Sequence, residues 1–266
     1  MYFANKVAII TGASSGIGWA LAKQLAAQRC KVGLIARRQD RLETLAAEIR
    51  ESGGESAWAV ADVASWEQTR NAIGSLRQLG PIDLLIANAG VSSTTAIEPP
   101  NTAEVAHMFQ VNVLGMIHAI DAVLPEMLER KQGHIAGISS LGAYKGIPGE
   151  QGYAASKAAM NTYLEGLRVQ LRKRGIAVST ICPGFIKTPM TDVNEYPMMF
   201  LMSAEEAARR ILRALRRRRK VYNFPWQTAL LMKLLRWLPD RTVHRIFRKH
   251  TMPKPRGESS SLAGPQ

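Results

Sequence analysis

Val7-Ala8-Ile9-Ile10-Thr11-Gly12-Ala13-Ser14-Ser15-Gly16-Ile17-Gly18 is the stretch that decides the fold. Residues 7–10 form an apolar, partly β-branched run of strand length. Three glycines follow in a G-x-x-x-G-x-G spacing, and residues 19–29 read as a helix. Strand, glycine turn and helix in that order are the context of a dinucleotide site. Glycines let the backbone come close to a pyrophosphate, and the free N–H groups of a helix start point at its oxygens. A glycine turn is also ordinary loop punctuation, but directly behind a strand of buried type the phosphate reading is the stronger one.

The same alternation continues outward. Apolar strands at 31–35, 56–61, 83–87 and 134–138 alternate with amphipathic helices through residue 181. That pattern predicts a doubly wound parallel sheet covered by helices on both faces, a three-layer α/β fold. A chain of 266 residues with 46% hydrophobic composition suits one such domain rather than two small ones. We expect the domain over residues 1–224, a basic helical extension over 225–252, and a Pro-, Gly- and Ser-rich tail of disordered composition over 253–266. There is no internal repeat.

Cys30 and Cys182 are too few for a disulfide framework and are expected as buried free thiols in a reducing compartment. The first strand begins almost at once, which leaves no room for a signal peptide, and no apolar run approaches the ~20 residues that cross a bilayer. The expectation is a cytoplasmic protein. No His, Cys, Asp or Glu cluster has metal-ligand spacing, so no metal is expected. The net charge of +14 is unevenly spread: residues 1–204 hold 19 Lys and Arg against 17 Asp and Glu, and residues 205–266 hold 16 against 4.

Tyr153 and Lys157 stand four residues apart, one turn apart on a single helix face. A phenol is a poor base at neutral pH, and a neighbouring cation favours its ionised form. The pair therefore suits proton exchange with an alcohol or a carbonyl, although Tyr and Lys also share helix faces by chance. Further pieces stand upstream: Asp62-Val63 and Asn88-Ala89-Gly90 at strand ends, Asn112 in the helical stretch 103–130, and Ser140 thirteen residues before Tyr153.

Together these elements resemble the short-chain dehydrogenase/reductase family in its compact, single-domain form, from about residue 6 to about 224. The resemblance implies the catalytic set Asn112, Ser140, Tyr153 and Lys157. Ser140 would hold the substrate oxygen, with Ser139 as its rival. Tyr153 would give or take the proton. Lys157 would bind the nicotinamide ribose and lower the Tyr153 pKa, and Asn112 would hold a water in a proton relay. Gly12, Ser14, Ser15, Gly16, Ile17 and Gly18 would cradle the pyrophosphate, and Asp62 and Val63 would meet the adenine. Asn88, Ala89 and Gly90 would support the cofactor, and Pro183, Gly184, Ile186 and Thr188 would reach the nicotinamide.

The second strand ends at Ala36-Arg37-Arg38, where NAD enzymes of this fold usually place an acidic residue. Arginine pairs instead with a 2′-phosphate, so NADP is expected over NAD. Arg37 and Arg38 could also simply begin a solvated helix.

Substrate contacts are expected from Ser140, Leu141, Tyr144, Ile147, Tyr153 and Met190, with the Met-rich segment 198–202 closing over an apolar or lipid-like carbonyl or alcohol. That segment could equally pack against the domain. Residues 203–220 read as a Ser-capped helix, acidic first and basic last, as the helix dipole favours. Val221–Phe224 reads as the last strand. In the helix at 226–238, Leu230, Leu231, Leu234, Leu235 and Leu238 form one face. In a helix at 241–250, Val243, Ile246 and Phe247 oppose a basic face. Such helices lie in a membrane interface or cover the enzyme body or a partner subunit. A homodimer or homotetramer is expected through the helices near 103–130 and 152–174. Nucleic-acid binding by Arg216–Lys220 and a non-catalytic cofactor-binding scaffold are the readings from other classes; no groove-reading module supports the first.

Overall fold

A computed structural model describes residues 2–192 and 198–247, the Phe247 side chain excepted. In chain order it runs β1 (Val7–Thr11), α1 (Gly16–Ala26), β2 (Lys31–Ala36), α2 (Gln39–Glu51), β3 (Ser56–Val60), α3 (Trp66–Leu76) and β4 (Ile82–Ala87). There follow α4 (Thr102–Met108), a π-helical segment (Phe109–Leu114), α5 (Gly115–Glu129), β5 (Gly133–Ile138) and α6 (Gln151–Gln170). The chain continues through β6 (Ile176–Pro183), α7 (Ala204–Arg216), β7 (Val221–Phe224), α8 (Trp226–Leu235) and α9 (Asp240–Phe247).

The strands form one sheet in the order β3-β2-β1-β4-β5-β6-β7, and every neighbouring pair is parallel. Central strands in such a sheet are covered on both sides, which is why their sequences read as unbroken apolar runs. Side chains alternate between the faces. Ala8 and Ile10 of β1 join the core under α1, α2 and α7, with Leu21, Leu25, Leu42 and Ile211. Val7 and Ile9 enter the opposite core, with Ile120, Val123, Met160 and Leu164 of α5 and α6.

Strand order reverses between β2-β1 and β4-β5, so the chain leaves the carboxyl ends of β1 and β4 in opposite directions. A crevice opens at that point, where ligands bind in open α/β sheets.

Local shifts have identifiable causes. The first helix begins at Gly16 rather than 19, because Ser15 is extended (φ −166°, ψ 171°) and serves as its N-cap position. It ends before Arg29, which turns left-handed at φ 60°. The stretch 102–129 is one continuous helical run, long and apolar enough by length and composition to cross a membrane. Its Met116, Ala119, Ile120 and Val123 are buried against the sheet, as in a core helix. The Ser203 side chain accepts from Glu206 N–H, the cap expected there.

The extension departs from expectation. The α8 helix packs through Ala229, Met232 and Leu235 onto Leu141, Cys182, Tyr144 and Ile147. Leu230, Leu231 and Leu234 are exposed. The expected leucine face is therefore split: Leu235 and Leu238 pack on the enzyme body beside Ala229 and Met232, and Leu230, Leu231 and Leu234 face outward. In α9, Val243 is buried and Ile246 exposed. The helix end beyond Phe247 and the tail 253–266 lie outside the described residues.

Candidate active site

The glycine turn lies at the crevice. Gly12 has φ 67°, and a Cβ there would stand 2.7 Å from Ala89 Cα. The close approach is held by a staple between the two strand ends. Asn88 Nδ2 donates to the Thr11 and Gly12 carbonyls, and the N–H groups of Asn88 and Ala89 donate to Thr11 Oγ1. Gly18 faces inward: a Cβ would overlap the Gly12 carbonyl oxygen and meet Asn88 Nδ2 at 2.6 Å. Gly18 thus packs helix against strand and does not line the cleft, whereas Gly12, Ser14, Ser15, Gly16 and Ile17 do.

The cleft has a volume of about 400 Å³. Arg37, Arg38, Asp62 and Val63 line its outer end, and Asn88, Ala89 and Gly90 its floor. The far side is Pro183, Gly184, Ile186, Thr188 and Met190. The two arginines differ. The Arg38 guanidinium donates to Ser14 Oγ at 3.0 and 3.3 Å and clamps the turn. Arg37 is largely exposed and stands 3.8 Å from an Asp62 carboxylate oxygen, a loose pair.

Tyr153 and Lys157 stand on the first two turns of α6, and both line the cleft. Lys157 Nζ is buried, 5.8 Å from the Tyr153 ring centroid, and donates to the Ile138 carbonyl at 3.0 Å. Burial pushes the Lys157 ammonium down to about 8, with Cys182 pulling weakly the other way. Ser140 Oγ accepts from Gly142 N–H at 3.0 Å, which leaves its own proton free to donate into the cleft. Ser139 is the buried neighbour; its hydroxyl donates to the Lys157 carbonyl. Both serines line the cleft, and Ser140, not Ser139, also borders the second cavity together with Tyr153.

Asn112 is fully buried, turned inward on the π-helical segment. Its Oδ1 accepts from Val91 N–H, and its Nδ2 donates to the Val91 carbonyl and to Ser156 Oγ. The amide thus ties the end of β4 to α6, next to Gly90, where a Cβ would stand 3.2 Å from Asn112 Oδ1 and 3.4 Å from Lys157 Nζ.

A second cavity of about 160 Å³ opens from the cleft at Ser140, Tyr153, Gly184 and Met190. Leu141, Ile147, Phe185 and Met232 make it apolar; Ser92, Lys145, Glu150 and Thr228 add polar groups. Burial lifts the Glu150 carboxyl above its ordinary value. Thr228 Oγ1 is buried and has no hydrogen-bond partner among the described residues. Two expectations need correction. Tyr144 is not a wall residue; its hydroxyl donates to Asn223 at the end of β7. Nor does the segment 198–202 line the cavity: Met202 is core, held beside Ile186 by backbone bonds to Phe185 and Lys187, and Met199, Phe200 and Leu201 are exposed. Thr228 and Met232 come from α8, about 75 residues beyond Tyr153, with no local signal to mark them.

The comparisons agree with this layout. The short chain dehydrogenase family profile matches residues 6–197. An uncharacterized oxidoreductase of Myxococcus xanthus is 38% identical over 236 residues, 88% of this chain and 93% of that protein. Among solved structures, an actinorhodin polyketide ketoreductase variant with NADPH superposes with TM-score 0.75 at 26% identity, over 84% of this chain and 97% of that one. A short chain dehydrogenase/reductase from Burkholderia phymatum in complex with NAD shares the fold, with TM-score 0.82 at 24% identity over 98% of this chain and 100% of that one. With the glycine turn, the Ser140, Tyr153 and Lys157 cluster and this match over most of its length, the chain is an oxidoreductase that belongs to the short chain dehydrogenase family.

Proposed function

We propose that the chain interconverts a carbonyl and a secondary alcohol with NADP(H), on an apolar, lipid-like substrate. The observation that carries the reading is the convergence of Ser140 and Tyr153 where the long cleft meets the apolar cavity. The cleft suits a dinucleotide: the glycine turn and the start of α1, through Gly12, Ser14, Ser15, Gly16 and Ile17, line it. Arg37, Arg38 and the absence of an acid at Ala36 support a 2′-phosphate at the outer end.

When bound, the nicotinamide supplies or receives the hydride. The protein's own part is position and proton. Ser140 donates to the substrate oxygen and holds it against Tyr153. Tyr153 gives its proton to that oxygen in reduction and takes it back in oxidation. Lys157 places a positive charge beside the phenol; because it titrates near 8, that charge is present at neutral pH and fades as pH rises. Asn112 positions the strand end and helix between which this occurs. The exposed Phe109, Leu114 and Val169 on the helices of this region support a homo-oligomer.

Tyr153→Phe tests the reading. Against a panel of ketones of rising chain length, kcat with NADPH should fall by about 10²–10⁴-fold. NADPH binding, followed by its own fluorescence, should stay within about threefold, well under 1.4 kcal/mol. Turnover within tenfold of wild type would show that the proton comes from elsewhere.

A further inference from the structure

The α8 helix has two unlike sides. Thr228, Ala229, Met232 and Leu235 are buried. Trp226, Leu230 and Leu234, spaced four residues apart, fall on the opposite face, Trp237 stands in the turn just beyond the helix, and the four are 68%, 50%, 59% and 85% exposed. Four large apolar side chains in a row, two of them indoles, are not the scattered exposed residues normal on a monomer. Ile246 of α9 is exposed in the same segment. The charges around this face are one-sided: Lys233, Arg236, Arg241 and Arg245 are exposed, with Asp240 the one acid between 226 and 247.

We propose that this face docks on the surface of an anionic lipid bilayer. Leucines would enter the acyl boundary, the tryptophans would sit at headgroup level, and the flanking Lys and Arg would meet anionic headgroups. The charge argues against a second copy of the chain as the occupant. A two-fold interface brings the same patch against itself, so Lys233, Arg236, Arg241 and Arg245 would face their own equivalents. The larger basic run at Arg216–Lys220 is not part of the surface. It precedes β7, and α8 follows it, so the two lie at opposite ends of the strand. Resting on the function proposed above, the arrangement has a consequence. The buried side of α8 walls the substrate cavity through Thr228 and Met232, which puts that cavity about one helix diameter, ~10 Å, from the lipid.

The test is flotation of the full chain with vesicles of phosphatidylcholine alone or with 30% phosphatidylglycerol (roughly the anionic content that gives an appreciable surface potential). Wild type should float with the anionic vesicles and lose about tenfold in bound fraction on phosphatidylcholine alone. Leu230→Ser combined with Leu234→Ser and Trp237→Ser should lower anionic binding by about tenfold or more while leaving turnover unchanged. Lys233→Glu with Arg236→Glu, which alters no apolar contact, should do the same and serves as the folded control should the serine variant misfold. Wild type that does not float, or binding that survives both variants, overturns the proposal. So does a serine variant whose mass in solution drops to a smaller oligomer, because a second copy then covers the face. Flotation is read without turnover, so its failure leaves the Tyr153 assignment untouched, and the reverse holds.

Discussion

Replacing Lys157 with methionine should make the folded chain more stable while stopping turnover. The lysine is buried, and its proton is held at about 8 against 10.5 in the unfolded chain, chiefly by desolvation. Below pH 8 both states carry the proton, and the cost of burying it, about 3 kcal/mol, is complete and independent of pH. Between pH 8 and 10.5 the native state gives up its proton first. The unfolded state then binds more protons, so wild-type stability rises with pH, and only about 1 kcal/mol of the cost remains at pH 10. Methionine keeps the length of the side chain without the charge. It also loses the hydrogen bond to the Ile138 carbonyl, worth about 1 kcal/mol. The net gain at pH 7 is about 2 kcal/mol, or about 4–8 °C in Tm for a chain of this size. By pH 10 the gain should be close to zero. Denaturant unfolding of the cofactor-free protein at pH 7, 8.5 and 10 measures it, and kcat should fall more than about 100-fold in parallel. A variant less stable than wild type at pH 7, or a gain that does not shrink with pH, would refute the reasoning. A gain with loss of activity is the signature of a site held at the expense of stability.

Four further substitutions give measurable outcomes. Arg37→Ala should raise KM for NADPH by about tenfold or more and leave KM for NADH nearly unchanged, since the pair with Asp62 is loose. Arg38→Ala should weaken both cofactors, because it also removes the clamp on Ser14; equal effects of Arg37→Ala on both would remove the argument for NADP. Gly18→Ala should destabilise the chain by about 1–3 kcal/mol, read by thermal unfolding, because the added methyl meets the Gly12 backbone and an Asn88 side-chain amide that two hydrogen bonds hold in place. Thr228→Val, isosteric at the unpartnered Oγ1, should leave stability unchanged or raise it by about 1 kcal/mol. For substrates carrying a polar group away from the reacting carbonyl, it should raise KM with little effect on purely apolar ketones; identical effects on the two classes would exclude a hydrogen bond from Thr228.

Much of the site was legible before any coordinates. Tyr153, Lys157 and Ser140 announce themselves because their chemistry depends on short separations, one helical turn or one strand-end turn. The thirteen-residue offset from Tyr153 selects Ser140 over Ser139; in the structure Ser139 donates to the Lys157 carbonyl and Ser140 accepts from Gly142 N–H. Arg38 was underestimated, because nothing in Ala36-Arg37-Arg38 says which guanidinium swings back to Ser14. The partners of Asn112 were not legible either: it is fully buried on the π-helical segment and bonded to Val91 and Ser156, which lie 21 and 44 residues away.

By itself the sequence determined the parallel α/β architecture, the crevice-forming glycine turn and the family, because strand and helix periods and turn chemistry are written within a few neighbouring residues. Tertiary structure alone decided what lines the second cavity. Tyr144 turned to Asn223, 79 residues away, the 198–202 segment split between core and surface, and α8 buried Thr228, Met232 and Leu235 while leaving Leu230, Leu231 and Leu234 outside. Each of those outcomes depends on which surfaces meet when distant elements pack, and an amphipathic period shows that a face exists without saying what it will find.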